Sequence, residues 1–375
     1  MFNEVIAAIF LLSVTIQVAY ALYFFVQVFR IPIAAEPSSA QKPVSVIICA
    51  KNEAANLLQN LPAVMAQRYI NDAGIVLFKV IVVNDASEDD TAKVLAGFRE
   101  IYPQLQVVTI ATNEVRDVPG KKYALGKGIA AAETNLIVVT DADCKPSSDQ
   151  WLAKMVAPLL NGKGIVAGYG KYIQQPGLLN RFIRWETLHT FLQYSGYALA
   201  GKPYMATGRN LAYHKDAFVK ASATPAWGAL PSGDDDLLIE AYANAGNMSI
   251  VCDEHAFTIS PAKNTWAEWV KQKQRHLSTG KYYKKSIQLL LACYASTHAL
   301  IWLLFLMSLF TSFYQTALVV MLCRCFIYWL IWAYTAKRLG EKDLVIWFPV
   351  MDFAWLLYNF AFSPYIFLKN KTQWK

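Results

Sequence analysis

The stretch LIVVTDADCKP, residues 136–146, runs an apolar and β-branched segment straight into two aspartates one residue apart. Aspartate suits the turn that closes a strand. Two carboxylates at a strand's carboxyl end also have a chemical use, because they can share a divalent cation that holds phosphate oxygens. The segment VIVVNDASEDDT puts Asp85 at a second apolar strand end, and CAKNE places Lys51, Asn52 and Glu53 after a third. Farther on, SGDDDLL supplies Asp234, Asp235 and Asp236. Aspartates there suit a helix N-terminus, and one of them can take a proton from a hydroxyl.

These groups need a scaffold that brings strand ends together. Strands are expected at 44–49, 79–85, 106–110 and 135–141, all short β-branched runs. Between them, EAANLLQNLPAVMAQ, SEDDTAKVLAGFREI and KYALGKGIAAAE carry helical spacing. Alternation of this kind predicts an α/β domain with a parallel sheet covered on both faces. In such a sheet ligands bind outside the carboxyl ends of the strands, where Asp85, Asp141 and Asp143 fall. No G-x-G-x-x-G follows the first strand, so the glycine cradle of a dinucleotide or nucleotidyl site is missing.

The chain has 375 residues, 55% of them hydrophobic, which exceeds what an ordinary soluble enzyme buries. The surplus lies in apolar runs at 5–29, 289–310, 316–336 and 344–368. The third carries Arg324, which must face protein, headgroups or a cavity. The fourth is interrupted by Pro349, Asp352, Asn359 and Pro364, which predicts a broken or re-entrant segment. Arg30 and Lys42, then Lys281, Lys284 and Lys285, then Lys337, Arg338 and Lys342 flank the first three runs and belong in the cytoplasm. A multi-pass protein of the plasma (inner) membrane with a cytoplasmic central domain follows. Full spanning by the last run would strand Lys369, Lys371 and Lys375 outside, against the same rule. The expected division is an anchor and linker at 1–40, a soluble-type domain at 41–285 and a membrane or interfacial region at 286–375. The helix expected at 178–200 mixes aromatics with Arg181 and Arg184, a pattern open to packing or to seating on headgroups. A charge of +8 suits an anionic leaflet, and no run of five basic residues points to nucleic acid. The six cysteines show no C-x-x-C or zinc spacing and are expected reduced and unbridged.

Taken in order, these motifs resemble the processive and lipid-directed family 2 glycosyltransferases, which have a GT-A fold. The resemblance covers about 43–283. PVSVIICAKNEAANL looks like the family's opening strand, VIVVNDASEDDT like its nucleotide-contacting turn, TDADC like its D-x-D motif, ATGRNLAYHK like its acceptor-side wall, and SGDDDLLIEAYANAG like the segment that supplies the base. It implies a nucleotide-diphosphate sugar donor contacted by Lys51, Glu53, Asp85, Lys121, Lys122, Asp141, Gln272 and Arg275. It further implies a divalent metal, Mg2+ or Mn2+, on Asp143 and Asp141, an acceptor side at Gly208, Asn210 and His276, and a catalytic base at Asp234, with Asp235 next in line. Three positions depart from the pattern. Asn84 replaces an Asp, Gly233 stands where Glu is frequent, and His276 replaces the Trp of Q-x-x-R-W. The last weighs against polymer synthesis. The resemblance thus implies inverting transfer to a membrane lipid or lipid-linked glycan, with a processive synthase and an inactive GT-A scaffold as alternatives.

Overall fold

The computed structural model describes residues 2–32, 42–230 and 233–366, so Lys369, Lys371 and Lys375 lie outside the described residues. Ten strands run in chain order: β1 (Val44–Ala50), β2 (Phe78–Asp85), β3 (Leu105–Ile110), β4 (Leu136–Asp141), β5 (Lys145–Pro146), β6 (Ile165–Gly168), β7 (Gly170–Tyr172), β8 (Leu211–His214), β9 (Met248–Val251) and β10 (Thr258–Ser260). Seven form the main sheet in the order β3-β2-β1-β4-β8-β6-β9, and β5-β10-β7 make a small second sheet. The first four are parallel, whereas β8 runs antiparallel to both β4 and β6. Every residue of β1 is buried, which is why its sequence shows no polar alternation.

The register fixes the functional rim. Cys49 pairs with Asp141, Ala50 with Asn84, and Asp85 with Ile110, so the ends of β1, β2 and β4 finish level. Helices Ala54–Met65, Thr91–Ile101 and Trp151–Leu160 pack Leu57, Leu61, Leu95 and Trp151 onto one face of the sheet. The core on the opposite face does not end with the α/β layers. It runs from Ile47 and Val139 through Trp185 and Tyr197 of helix Leu178–Leu199 to Trp332, Trp355 and Phe362 of the C-terminal helices.

Among the described residues, four apolar segments are long enough to cross a membrane: Asn3–Arg30, Lys285–Ser308, Tyr314–Arg338 and Lys342–Tyr365. Their outer faces expose Leu12, Leu303, Leu322, Phe326 and Leu357. The bundle interior holds a cluster of polar side chains. Arg324 donates to Asp352 (2.5 Å), Trp302 donates to the same carboxylate (3.1 Å), Tyr328 donates to Gln17 (2.9 Å), and Gln17 donates to Thr297 (2.9 Å). One network thereby ties all four segments, and it satisfies the requirement that Arg324 avoid lipid. The fourth segment is broken, as Pro349 and Pro364 foreshadow. A 3-10 turn at Lys342–Trp347 leads into a 15-residue helix, Phe348–Phe362, and another 3-10 turn. That helix rises only about 22 Å, against a hydrocarbon core of about 30 Å.

Arg184 does not reach for headgroups. It is buried, its Nε donating to Glu341 Oε2 (2.8 Å) and its Nη1 to Asp343 Oδ2 (2.9 Å), both on the link between the third and fourth segments. Lys171 and Arg338 add bonds to the carbonyls of Gly340 (2.8 Å) and Cys252 (3.0 Å) across the same boundary. The helix at 178–199 is thus a packing element, with its tryptophan Trp185 stacked on Trp332 at 4.9 Å. Removing one member of such a buried pair strands the other charge. Arg184→Ala should destabilise the detergent-solubilised protein by roughly 3–5 kcal/mol, and pairing Arg184→Met with Glu341→Met should recover much of that loss in thermal unfolding.

Candidate active site

At the rim, the turns after β1 and β2 hold each other. Asn52 takes a left-handed conformation (φ 55°), its side-chain oxygen accepts from the Glu88 N–H (2.8 Å), and its own N–H donates to Ser87 Oγ (3.0 Å). Asp89 accepts from the Ala54 and Thr91 N–H groups (3.2 and 3.0 Å), which explains why SEDDT is acidic without those residues entering the helix that follows. Lys51 sits half-buried on this turn, and the buried Glu53 accepts from Asn56 Nδ2. Asp85 is fully buried, with its two oxygens taken by Arg116 Nη1 and Nη2 (3.1 and 2.6 Å). Arg116 also lies 5.5 Å over the Tyr123 ring. The sequence gives no hint of this guanidinium, since it comes from a loop 31 residues downstream of its partner.

Asp141, Asp143 and Cys144 bring ligand atoms within 4.8 Å of one another. Burial pushes the Cys144 thiol well up, and the nearby Asp143 and Asp141 push it further. The two carboxylates of this group are hard oxygen donors of the kind that fit Mg2+ or Mn2+. Asp141 forms an ion pair with Lys121. Burial works against its ionisation, but Lys121, Arg209 and Arg275 outweigh it and hold the carboxyl below its ordinary range. Lys121 in turn keeps its proton: burial opposes the charge, and Asp141 and Asp234 overcome that opposition.

Lys122 lies elsewhere. It is fully buried, it donates to the Trp227 and Leu230 carbonyls (2.9 Å each), and burial lowers its pKa to about 8. It braces the stretch that leads to Gly233 instead of lining the cavity.

The three consecutive aspartates open helix Asp234–Tyr242 and go to three different places. Gly233 precedes them at φ +80°, where a Cβ would sit 2.1 Å from Thr279 Cγ2, so the glutamate frequent in the family cannot be housed here. Asp236 is buried and accepts from Thr279 (2.5 Å) and Tyr283 (2.7 Å). Asp235 accepts from the Gly208 N–H (2.8 Å) and the Asp236 N–H (3.0 Å). Asp234, Asp235 and Asp236 all reach the wall of the main cavity.

Gly208 lines that cavity beside Asp235, but Asn210 does not. Asn210 is fully buried, donates to the Tyr169 and Ala256 carbonyls (3.0 and 2.9 Å) and accepts from Trp151 Nε1 (2.9 Å). Between them, Arg209 is the group sequence reading passes over. Its side chain donates to the Gly170 carbonyl (2.5 Å), stacks 4.1 Å from Tyr172, and lines the cavity with Asp141 and Asp143. Gln272, Arg275 and His276 face the cavity from helix Trp266–Leu277, which Thr265 caps by accepting from the Glu268 N–H (3.3 Å). His276 is exposed within the cavity; desolvation there, then the charges of Arg275, Lys273, Arg209 and Lys121, bias its imidazole toward the neutral form.

The cavity measures about 1460 Å³. It begins at Asp143 and Asp234, passes His276 and Tyr283, and continues along Gln288, Ala292 and Ser296 on one apolar helix and Trp355, Asn359 and Phe360 on another. Two of its lining residues, Leu289 and Phe360, are 71% and 59% exposed, so the cavity reaches the outer face of the helices.

Residues 45–220 match the family model described as Glycosyl transferase family 2. The sheet order is that of a GT-A-like α/β domain, and residues 45–220 are similar to the family 2 glycosyltransferases. The probable glycosyltransferase YdaM of Bacillus subtilis is 30% identical over 244 residues, 64% of this chain and 55% of that protein. The dolichyl-phosphate beta-glucosyltransferase ALG5C of Trichomonas vaginalis is 25% identical over 158 residues, 40% of this chain and 45% of that one. The chain thus spans about half the length of these curated relatives. A solved structure of mannosyltransferase PcManGT from Pyrobaculum calidifontis, in complex with GDP-Man and Mn2+, shares the fold with a TM-score of 0.57 at 17% identity, over 94% of this chain and 99% of that one.

Burial, and then the charge of Asp234, raise the Asp235 carboxyl from 3.8 to about 6. The folded state therefore binds more protons than the unfolded state between these values, and stability falls as pH rises through the window. Asp235→Asn keeps an acceptor for the Gly208 N–H. The variant should unfold at the same temperature as the parent near pH 4 and at a higher one at pH 7.

Proposed function

We propose that the protein is an inverting glycosyltransferase that moves one sugar from a nucleotide-diphosphate sugar to a membrane lipid or lipid-linked glycan at the cytoplasmic face of the plasma membrane. The observation that carries this reading is the single cavity that joins the carboxylate rim to a groove between two apolar helices. A soluble acceptor has no use for a lateral exit at Leu289 and Phe360. The relatives support the donor and acceptor classes: PcManGT is complexed with GDP-Man and Mn2+, and ALG5C is named for transfer to dolichyl phosphate. The basic flanks of the apolar segments support the cytoplasmic placement.

On this reading Asp143 and Asp141 hold a divalent cation, whose bound form would neutralise the leaving diphosphate as a Lewis acid. Lys121, Arg275 and Arg209 supply fixed positive charge on the same side. The nucleoside would meet Glu53 and Lys51 on the turn after β1 and the Arg116 guanidinium that the buried Asp85 holds. Asp234 takes the acceptor's proton. As the acceptor oxygen bonds to the anomeric carbon, the bond from that carbon to the diphosphate oxygen breaks, and the electron pair leaves with the nucleoside diphosphate. One base and no carboxylate nucleophile give inversion. His276 in place of the family's Trp supports single addition over polymer synthesis.

Two variants separate the roles. Asp143→Asn should abolish transfer together with the metal dependence of donor binding, measured by calorimetry with and without chelator. Asp234→Asn should slow single-turnover transfer by roughly a hundredfold or more while donor affinity holds. Normal transfer by Asp234→Asn alongside a folded but inactive Asp235→Asn would move the base to Asp235, and a ladder of products on a defined acceptor would turn the reading to a processive synthase.

A further inference from the structure

The part of the cavity between the carboxylate rim and the apolar groove is polar in a particular way. Its walls carry Thr187, Thr190 and Gln193 from helix Leu178–Leu199 and Gln272 from helix Trp266–Leu277, with the rings of Tyr204 and Tyr283 beside them. Hydroxyls, amides and aromatic faces together are the surroundings of a sugar ring, which offers hydroxyl edges and apolar C–H faces. Beyond them, Lys271, Lys281 and Lys285 line the same cavity where it meets helix Lys285–Ser308. Asp141, Asp143, Asp234 and Asp235 line the transfer end together with Lys121, Arg209 and Arg275, so charges of both signs meet there, whereas the three lysines stand toward the membrane end.

The carboxylates at the transfer end discriminate between two lipid acceptors. A lipid phosphate is already an anion near neutral pH, its second pKa being about 6, so it has no proton for Asp234 or Asp235 to take. A hydroxyl keeps its proton much higher, as water does at about 15.7, and requires a carboxylate to receive it as the new bond forms. We propose that the acceptor is a sugar carried on an anionic lipid, whose hydroxyl is the nucleophile. The sugar occupies the Thr187–Gln193 and Tyr204 section, and the phosphate or diphosphate linker rests on Lys271, Lys281 and Lys285. The inference rests on the lipid-acceptor reading above and narrows it. In the step itself, the acceptor O–H proton passes to Asp234, the acceptor oxygen bonds to the anomeric carbon, and the nucleoside diphosphate departs with the electron pair of the broken bond.

The test uses the full chain in lipid nanodiscs with the nucleotide sugar it hydrolyses fastest. Three acceptor sets are compared: polyprenyl diphosphates bearing glucose, galactose, mannose or N-acetylglucosamine; bare polyprenyl phosphate; and the methyl glycosides of the same four sugars. At least one sugar-bearing lipid should be glycosylated a hundredfold or more faster than bare polyprenyl phosphate and than its own methyl glycoside. Faster transfer to bare polyprenyl phosphate, or transfer to none of the sugar-bearing lipids, overturns the inference while leaving a lipid acceptor standing in the first case. Equal rates on a methyl glycoside and its lipid-linked form overturn the lipid reading and spare the hydroxyl nucleophile. The linker site is read separately: Lys271→Ala and Lys281→Ala should each raise KM for the lipid-linked sugar about tenfold, leaving kcat and the KM for the methyl glycoside alone. An unchanged KM in variants that unfold at the parent temperature removes the lysines from the proposal.

Discussion

The burial of Arg184 is the constraint on which the cavity depends. An ion of this size taken out of water costs several kcal/mol, and only well-placed partners offset it. Here they are Glu341 and Asp343, which lie 157 and 159 residues away on the link between two apolar segments. The pair can form only when helix Leu178–Leu199 packs against the bundle, with Trp185 stacked on Trp332 and 5.6 Å from the Trp355 ring. That helix is also a wall of the large cavity, through Glu186, Thr187, Thr190 and Gln193. Docking the α/β layers onto the helices and building the passage from rim to groove are therefore one event. A domain that folded apart from the helices would have a rim with half its cavity missing.

Within the rim, charge is arranged in advance of any ligand. Lys121 lies in the fields of both Asp141 and Asp234, and Arg209 and Arg275 press on Asp141 from other elements. The cations come from helix Lys121–Ala131, the Gly208–Asn210 turn and helix Trp266–Leu277, three pieces that the sheet and the shared core hold rigidly. Fixed charges of this kind do not have to reorganise when charge develops on a leaving diphosphate, which is where they are worth most. The same field biases the exposed His276 imidazole toward its neutral form.

How much of this was legible in the sequence follows the range of the interactions. β1, β2 and β4 fall where the β-branched runs put them, because a strand buried on both faces writes its environment into consecutive residues, and the half-buried edge strand β3 was marked by its β-branched run alone. The apolar segments and the break at Pro349 are local in the same sense. Lys122, Asn210 and Arg184 were not legible in their structural roles. Each is a polar residue in a motif or an amphipathic helix, and each spends its hydrogen bonds on partners 41 to 159 residues away. A motif lists residue types, and it does not say which of two adjacent lysines faces the ligand. Helix Lys121–Ala131 decides that by turning about 100° per residue, which sends Lys121 to Asp141 and Lys122 into the interior. Arg116 and Arg209 were missed for the complementary reason, since nothing in their neighbourhoods marks a guanidinium as belonging to a distant carboxylate or ring.

The same rotation resolves Asp234, Asp235 and Asp236. In sequence they are equivalent. On the first turn of a helix they point in three directions, and the structure supplies a distinct partner for two of them: Thr279 and Tyr283 for Asp236, and the Gly208 N–H for Asp235. Gly233 makes this possible by starting the helix from a left-handed residue packed against Thr279, the threonine that also binds Asp236. A larger residue at 233 would displace Thr279 and release Asp236, and the helix start would lose the contact that fixes its rotation. The departure from the family pattern at that position is thus tied to Thr279, and the two positions set where Asp234 faces the cavity.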